Sequence, residues 1–324
     1  MVRKQLVYLL VISLLVINGG CGVLTKTQVK EVNKFAVAAK NYSEMPGIVI
    51  EEHAKIRKNR QILMASTYCD GEAALEAIKT ALTQQETLTI KGRQTDATLQ
   101  VLKDYADLLV NLTSDNFTNE LQASCETLGK NIDKGIGQYN KMEGTDLGLF
   151  GSGVAAIIRG LGGIYVRSEQ EKALKQAITS ADPVIRSMTL TIEEIMALYL
   201  DADQLQNIKG LTTDKGQSAL EPLGLLTQEK KEVMEKYRAT VGRYEGKQPP
   251  GLPLAVANEI EASDNAARLA ASALKAADSY RQAHAALAKV VLEKQDLPDV
   301  IDVIQVLIDE VKAAQELKKK LDNK

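Results

Sequence analysis

From Leu147 to Val166 the chain has twenty residues with a single charge, Arg159; twelve are apolar, six are glycine and one is Ser152. That is about the length a helix needs to cross a hydrocarbon core. Each glycine in a helix interior costs about 1 kcal/mol relative to alanine, so the run cannot stand as a free helix. It must be buried between neighbouring helices or placed in a bilayer, where backbone groups pair within the segment. Small residues recur at every fourth position, Gly144, Gly148, Ser152, Ala156 and Gly160, a spacing that lets two helix backbones approach closely. Arg159 near the middle of a membrane span would cost about 3 kcal/mol on insertion scales. Close packing is therefore the expected use of the run, and insertion of 147–166 the competing one.

The sequence on either side is written for helices. Aromatic residues make up 4% of the 324 positions and Trp is absent, while Ala, Leu, Lys, Glu and Gln, which lose little side-chain freedom in a helix, are abundant. The β-branched and aromatic clusters of strands are sparse. An all-α fold follows: an elongated, antiparallel helical bundle of coiled-coil character with a central Gly-rich apolar segment.

In the first half, Val29, Val32, Ala36 and Ala39, then Val49, Ile56 and Leu63, fall at whole helical turns. Pro46-Gly47 is expected to kink or break that helix, because proline removes a backbone donor. After Asp70-Gly71, a second stripe runs through Leu75, Ile78 and Leu82 to Leu99, Leu102, Ala106, Leu109 and Leu112, with a bend or pause expected near Gly92. Ser114-Asp115 offers N-cap oxygens for a third helix, on which Leu121, Cys125, Leu128, Ile132, Ile136 and Tyr139 share a face. That face puts Cys125 in the core. A disulfide to Cys69 would need Cα atoms within about 7 Å, whereas the connecting helix separates them by far more unless it bends sharply, so two buried thiols are expected.

In the second half, Asp182-Pro183 reads as an N-cap and first helical residue, restarting a helix whose stripe is Met188, Ile192, Ile195 and Tyr199 and continues to Leu205 and Ile208. A loop over 210–226 and a short helix from Thr227 to about Tyr244 lead to Gln248-Pro249-Pro250-Gly251-Leu252-Pro253, the strongest break in the chain. Beyond it, Leu269, Ala273, Ala277, Tyr280, His284, Leu287 and Val291 are spaced as in a coiled coil. After Asp296-Leu297-Pro298, Val300, Ile304, Leu307, Val311, Ala314 and Leu321 form a last seam, with Lys318, Lys319 and Lys320 complementing the dipole at the helix end.

The N-terminus has a separate character. Basic Arg3 and Lys4 precede a twelve-residue run, Leu6 to Ile17, and small residues lead to Cys21. The run is too short to span and has the three-part form of a signal peptide. Gly19-Gly20-Cys21 resembles the lipobox of bacterial lipoproteins, although Asn18 stands where that motif has Leu, Val or Ile. The resemblance implies cleavage after residue 20, a diacylglycerol on the Cys21 sulfur, and a membrane attached through that lipid anchor. With Gly22 rather than aspartate next, it also implies the outer membrane, facing the periplasm or the surface. The resulting division is 1–20 signal peptide, 21–26 lipidated tether, 27–143 first helical half, 144–166 Gly-rich segment and 167–324 second helical half, packed with the first as one bundle. In layout alone, a hydrophobic segment between long helices is similar to the haemolysin E-type α-helical pore-forming toxins, which implies membrane insertion by 147–166.

Di-iron bundles use Glu-x-x-His pairs, but Ile50 and Arg281 stand three residues before His53 and His284. Glu51, Glu52 and His53 diverge around a helix, so a solvated or half-buried histidine is expected there and not a metal ligand. There is no Cys-x-x-Cys-His, phosphate-loop or HExxH sequence, and Gly151-Ser152-Gly153 lacks the frame of a nucleophile elbow. The formal charge of −2 offers nucleic acid no basic face. The expectation is a non-enzymatic envelope protein, without catalytic residues, metal or cofactor. Its role would be structural or in protein interaction, with self-association possible through the heptad seams.

Overall fold

A computed structural model describes residues 24–65, 70–159, 167–208, 220, 222–243, 251–293 and 297–322. The signal-like segment, Cys21, Cys69, Gly160, most of the 210–226 loop, the Gln248–Pro250 break and Asp296 lie outside the described residues. Ten helices form among those described, and no strand.

Thr25 opens the first helix, α1 (Lys26–Tyr42), with a capping box: its hydroxyl accepts from the Gln28 N–H at 3.1 Å while the Gln28 side chain accepts from the Thr25 N–H at 2.8 Å. Leu24, just before the cap, is already buried in the core. The chain breaks at Ser43-Glu44 and resumes as α2 (Met45–Ala65). Pro46 stands in the first turn of α2, where its missing N–H leaves no helical acceptor wanting.

α3 (Gly71–Leu112) passes through Gly92 without interruption, so the expected pause does not occur. Forty-two helical residues span about 60 Å. α1 and α2 lie end to end along α3 in the opposite sense. Asn33 donates to Thr113 at 2.7 Å, Lys40 pairs with Asp107 at 2.6 Å, and Gln61 donates to Gln84 at 2.6 Å. Toward the C-terminal end of α3 the expected stripe holds: Leu99, Leu102, Ala106, Leu109 and Leu112 are buried. Near its start it fails, because Leu75 and Leu82 are about half exposed and Ala81 turns inward instead.

α4 (Asn119–Glu143) is capped by Thr118, whose hydroxyl accepts from the Leu121 N–H, and not by Ser114 or Asp115. It returns antiparallel to α3 and buries Cys125, Ile132, Ile136 and Tyr139 as expected. Cys125 is a free thiol pushed up to about 12 by burial. α5 (Gly151–Arg159) follows, then α6 (Arg167–Ala197). α6 runs straight through Asp182-Pro183, so the expected restart is replaced by an internal proline. Pro183 removes the donor that the Thr179 carbonyl would have used. The helix also ends earlier than its stripe suggested. Residues 198–200 turn, and Asp201 caps the separate short helix α7 (Ala202–Gln206) in a capping box with Gln204.

α8 (Leu225–Arg243) is entered through Gly224, whose φ of +62° is open to glycine, and whose N–H donates to the Leu200 carbonyl at 2.8 Å. α9 (Leu252–Glu293) and α10 (Leu297–Asp322) complete the chain as an antiparallel pair. The α10 seam, Val300, Ile304, Leu307, Val311 and Ala314, is buried as its spacing implied.

α9 is the centre of the molecule and packs on α1, α2, α6, α8 and α10. Its seven expected seam residues are all buried, and so are Ala266, Ala270, Leu274, Ala276 and Ala283 on other faces. Alanine is what permits this, because a helix surrounded by partners needs short side chains for their backbones to come near. One continuous core, from Leu24 to Ala314, draws on both halves of the sequence. At the end where α1 begins, α3 ends and α6 begins: Gln170 on α6 donates to the Leu112 and Ser114 carbonyls at 2.8 and 2.9 Å. The opposite end holds a small second cluster, Val233, Leu252 and Val256, against Leu63 and Tyr237.

Candidate functional site

The described part of the Gly-rich segment is held to α4 by three polar side chains, Asn140, Asp133 and Glu126. α4 stops at Gly144, in the left-handed conformation at φ +64°. Asn140 then fastens the connection: its amide donates to the Leu147 carbonyl at 3.0 Å, and its oxygen accepts from the Leu147 N–H at 3.1 Å and the Thr145 hydroxyl at 3.0 Å. Two turns earlier on α4, the Asp133 carboxylate receives the N–H groups of Phe150, Gly151 and Ser152 at 3.0, 2.7 and 2.8 Å, together with the Ser152 hydroxyl. Asp133 thus caps α5 from a neighbouring helix, satisfying donors that a helix start leaves open.

Below that cap the two backbones touch. A Cβ on Gly151 would stand 1.9 Å from the Gly129 carbonyl oxygen, and one on Gly129 would stand 2.4 Å from the Gly151 oxygen. The buried face of α5 is Gly151, Val154, Ala155 and Ile158. The small-residue stripe singled out in the sequence lies elsewhere: Gly148, Ser152 and Ala156 are exposed, and nothing lies within 4 Å of where a Gly148 Cβ would be. Close approach is made by Gly151, one residue before Ser152 and outside that stripe, against a glycine on α4. Arg159 is exposed and pairs with Glu126 at 3.2 Å, so its charge stays in water. No helix among the described residues is long and apolar enough to cross a membrane.

A second constellation lies inside the bundle, among residues that no sequence motif joins. His284 on α9 contacts Asp182 through Nδ1 at 2.9 Å and the Tyr105 hydroxyl through Nε2 at 2.8 Å. A ring that donates from Nδ1 to the carboxylate and accepts at Nε2 from the tyrosine satisfies both contacts. The hydrogen bond from His284 holds the Asp182 carboxyl below its ordinary range, while burial raises Tyr105 well above the usual phenol. Phe35 and Tyr105 flank the imidazole at ring distances of 5.8 and 5.6 Å. One turn away along α9, Arg281 pairs with Asp278 at 2.5 Å and with Glu193 of α6 at 3.3 Å. The residues from three helices form a polar line from the half-exposed Asp182 to the interior. Their chemistry is that of buried polar groups satisfying one another and setting the register of α3, α6 and α9. Asp182, read in sequence as a cap, is the outer member of this line.

At the far end, His53 on α2 is buried, where the sequence reading expected a solvated or half-buried ring. Burial and the charges of Arg57 and Arg60 lower it to about 4. At neutral pH it is therefore uncharged, and its 3.9 Å approach to Glu229 is not an ion pair. Glu229 is claimed instead by Arg60, which also pairs with Glu232 on α8. Tyr199 meets the His53 ring edge-on at 5.3 Å. Among the described residues no group of three or more His, Cys, Asp or Glu side chains is placed to hold a metal ion. No protein-family model, curated protein or solved structure matches the chain.

Proposed function

We propose that the protein is a non-enzymatic lipoprotein of the cell envelope, anchored through Cys21 and presenting a long helical bundle for a structural or protein-interaction role. The observation that carries this reading is the position of Cys21: it follows a signal-like leader and precedes by three residues Leu24, where the packed core begins. A lipid at that site would hold the folded body at the membrane with almost no linker. The charged outer faces of ~60 Å helices then serve as partner surfaces. The outer membrane is the proposed location, on the strength of Gly22 after the cysteine.

Growth of the producing bacterium with a fatty-acid analogue tests the anchor. The full chain is expected to incorporate the analogue and fractionate with membranes, and Cys21→Ala to do neither. Unlabelled wild-type protein with unchanged fractionation would sink the proposal. Insertion of 147–166 takes second place, because α5 would first have to give up its cap on Asp133 and its buried contacts with α4 and α6.

A further inference from the structure

We propose that the first turns of α1, through Lys26 and Lys30, rest on anionic lipid headgroups beside the Cys21 anchor, so that the bundle stands on that end with the start of α3 held away. The inference rests on the lipidation reading and adds to it a surface, a partner and an orientation.

The length of the tether sets the geometry. Only Gly22 and Val23 separate Cys21 from the buried Leu24. An extended chain covers at most about 3.6 Å per residue, so the acylated cysteine lies within about 11 Å of the core. The capping box at Thr25 fixes where the chain leaves the bundle. The end that carries the start of α1, the end of α3 and the start of α6 is therefore held at the bilayer surface.

Charge selects which edge of that end makes contact. Lys26 and Lys30 are one turn apart on one face of α1, both exposed, and the first turn of α1 has no acidic residue. Lys34 continues the same line, half exposed and paired with Glu31 at 2.9 Å. Of the other helices at this end, α4 and α10 carry acidic Glu120 and Asp299 in their first turns, while α6 begins at Arg167 and pairs its exposed Lys172 with Glu169 at 3.6 Å. Lys26 and Lys30 are the basic residues nearest along the chain to the lipid. An acyl chain combined with adjacent basic residues is a two-part attachment to anionic membranes. Leu75 and Leu82, the exposed leucines of α3, fall near the opposite end, about 45 to 55 Å along the helix from Leu112.

The acylated full chain, reconstituted into vesicles of phosphatidylcholine with or without phosphatidylglycerol and bearing a headgroup acceptor, provides the test. A fluorescent donor is placed through a clickable amino acid at exposed Asn119, near the anchored end, or at exposed Glu76, near the other. In phosphatidylglycerol vesicles the donor at 119 should transfer strongly and the donor at 76 weakly. Lys26→Glu with Lys30→Glu should abolish most of that difference, as should high salt, with circular dichroism unchanged. Equal transfer from both positions, or a difference indifferent to phosphatidylglycerol and to the charge reversal, overturns the proposal while fatty-acid incorporation shows the anchor intact. Absence of incorporated fatty acid overturns both readings.

Discussion

His53 shows how much of a residue's behaviour is set by what closes over it. Its sequence neighbours, Glu51 and Glu52, suggest a charged, wet surface, but the ring packs edge-on against Tyr199 and under the Arg60–Glu229 pair. With a folded value of about 4 against an ordinary 6.5, the unfolded chain binds the proton first. Stability from this site is complete above pH 6.5 and is lost as pH falls toward 4, by about 3 kcal/mol at most. Chemical denaturation at pH 7 and pH 4.5 should show that loss, and His53→Gln should remove much of the difference between the two pH values. An unchanged pH dependence in the variant would assign the acid sensitivity to other groups. Cys125 behaves as its stripe implied, because a residue in the middle of a long amphipathic face has one environment open to it. Asp182 does not, since nothing local announces a histidine 102 residues away.

At the scale of elements, α5 shows the strongest dependence on a partner. Nine residues containing two interior or terminal glycines are too short and too glycine-rich to persist alone. Asp133 and the glycine-to-glycine contact with α4 supply what the segment lacks. Gly151→Ala should therefore lower the melting temperature, by the equivalent of about 2 kcal/mol, because backbone at 1.9 Å cannot yield to a methyl group. Gly137→Ala, on the open side of α4 with nothing within 4 Å, should raise stability by up to about 1 kcal/mol from helix propensity alone. Thermal melts of the two variants beside wild type check both signs; a tolerated Gly151→Ala would mean that α5 is not locked to α4. α3 is the contrasting case. Its distal half runs on past Gly92 because α2 lies along it for support, and propensity at one glycine is a small cost against that packing.

The whole molecule has one principal core, and α9 is what unites it. Phe35 from α1, Tyr105 from α3, Asp182 from α6 and Tyr280 and His284 from α9 meet in one place, so neither half of the chain can be completed without the other. Fragments 24–143 and 167–324 expressed separately should lack cooperative thermal transitions, and mixing them should restore helicity and a single transition. A fragment 24–143 that melts cooperatively by itself would contradict the single-core arrangement. The central apolar run does not divide the structure as its composition divides the sequence. α4 and α5 pack beside one another, and the dividing line between halves becomes a buried interface.

By itself the sequence determined the all-helical class, the helix starts near Gly71, Leu252 and Leu297 and the buried faces of α4, α9 and α10, because helix propensity and the 3.6-residue repeat are local properties that any packing must respect. Tertiary structure alone decided that Gly151 and not Ser152 makes the close backbone contact with α4, that Asp133 caps α5, that α6 continues through Pro183, and that Leu75 and Leu82 stay exposed. Each of these depends on which neighbour arrives at a given face, and no spacing within a segment carries that information. The rhythm of small residues in the Gly-rich segment was visible in the sequence; that Gly151, outside that rhythm, would meet another helix was set by the glycine at position 129, fifteen residues before Gly144.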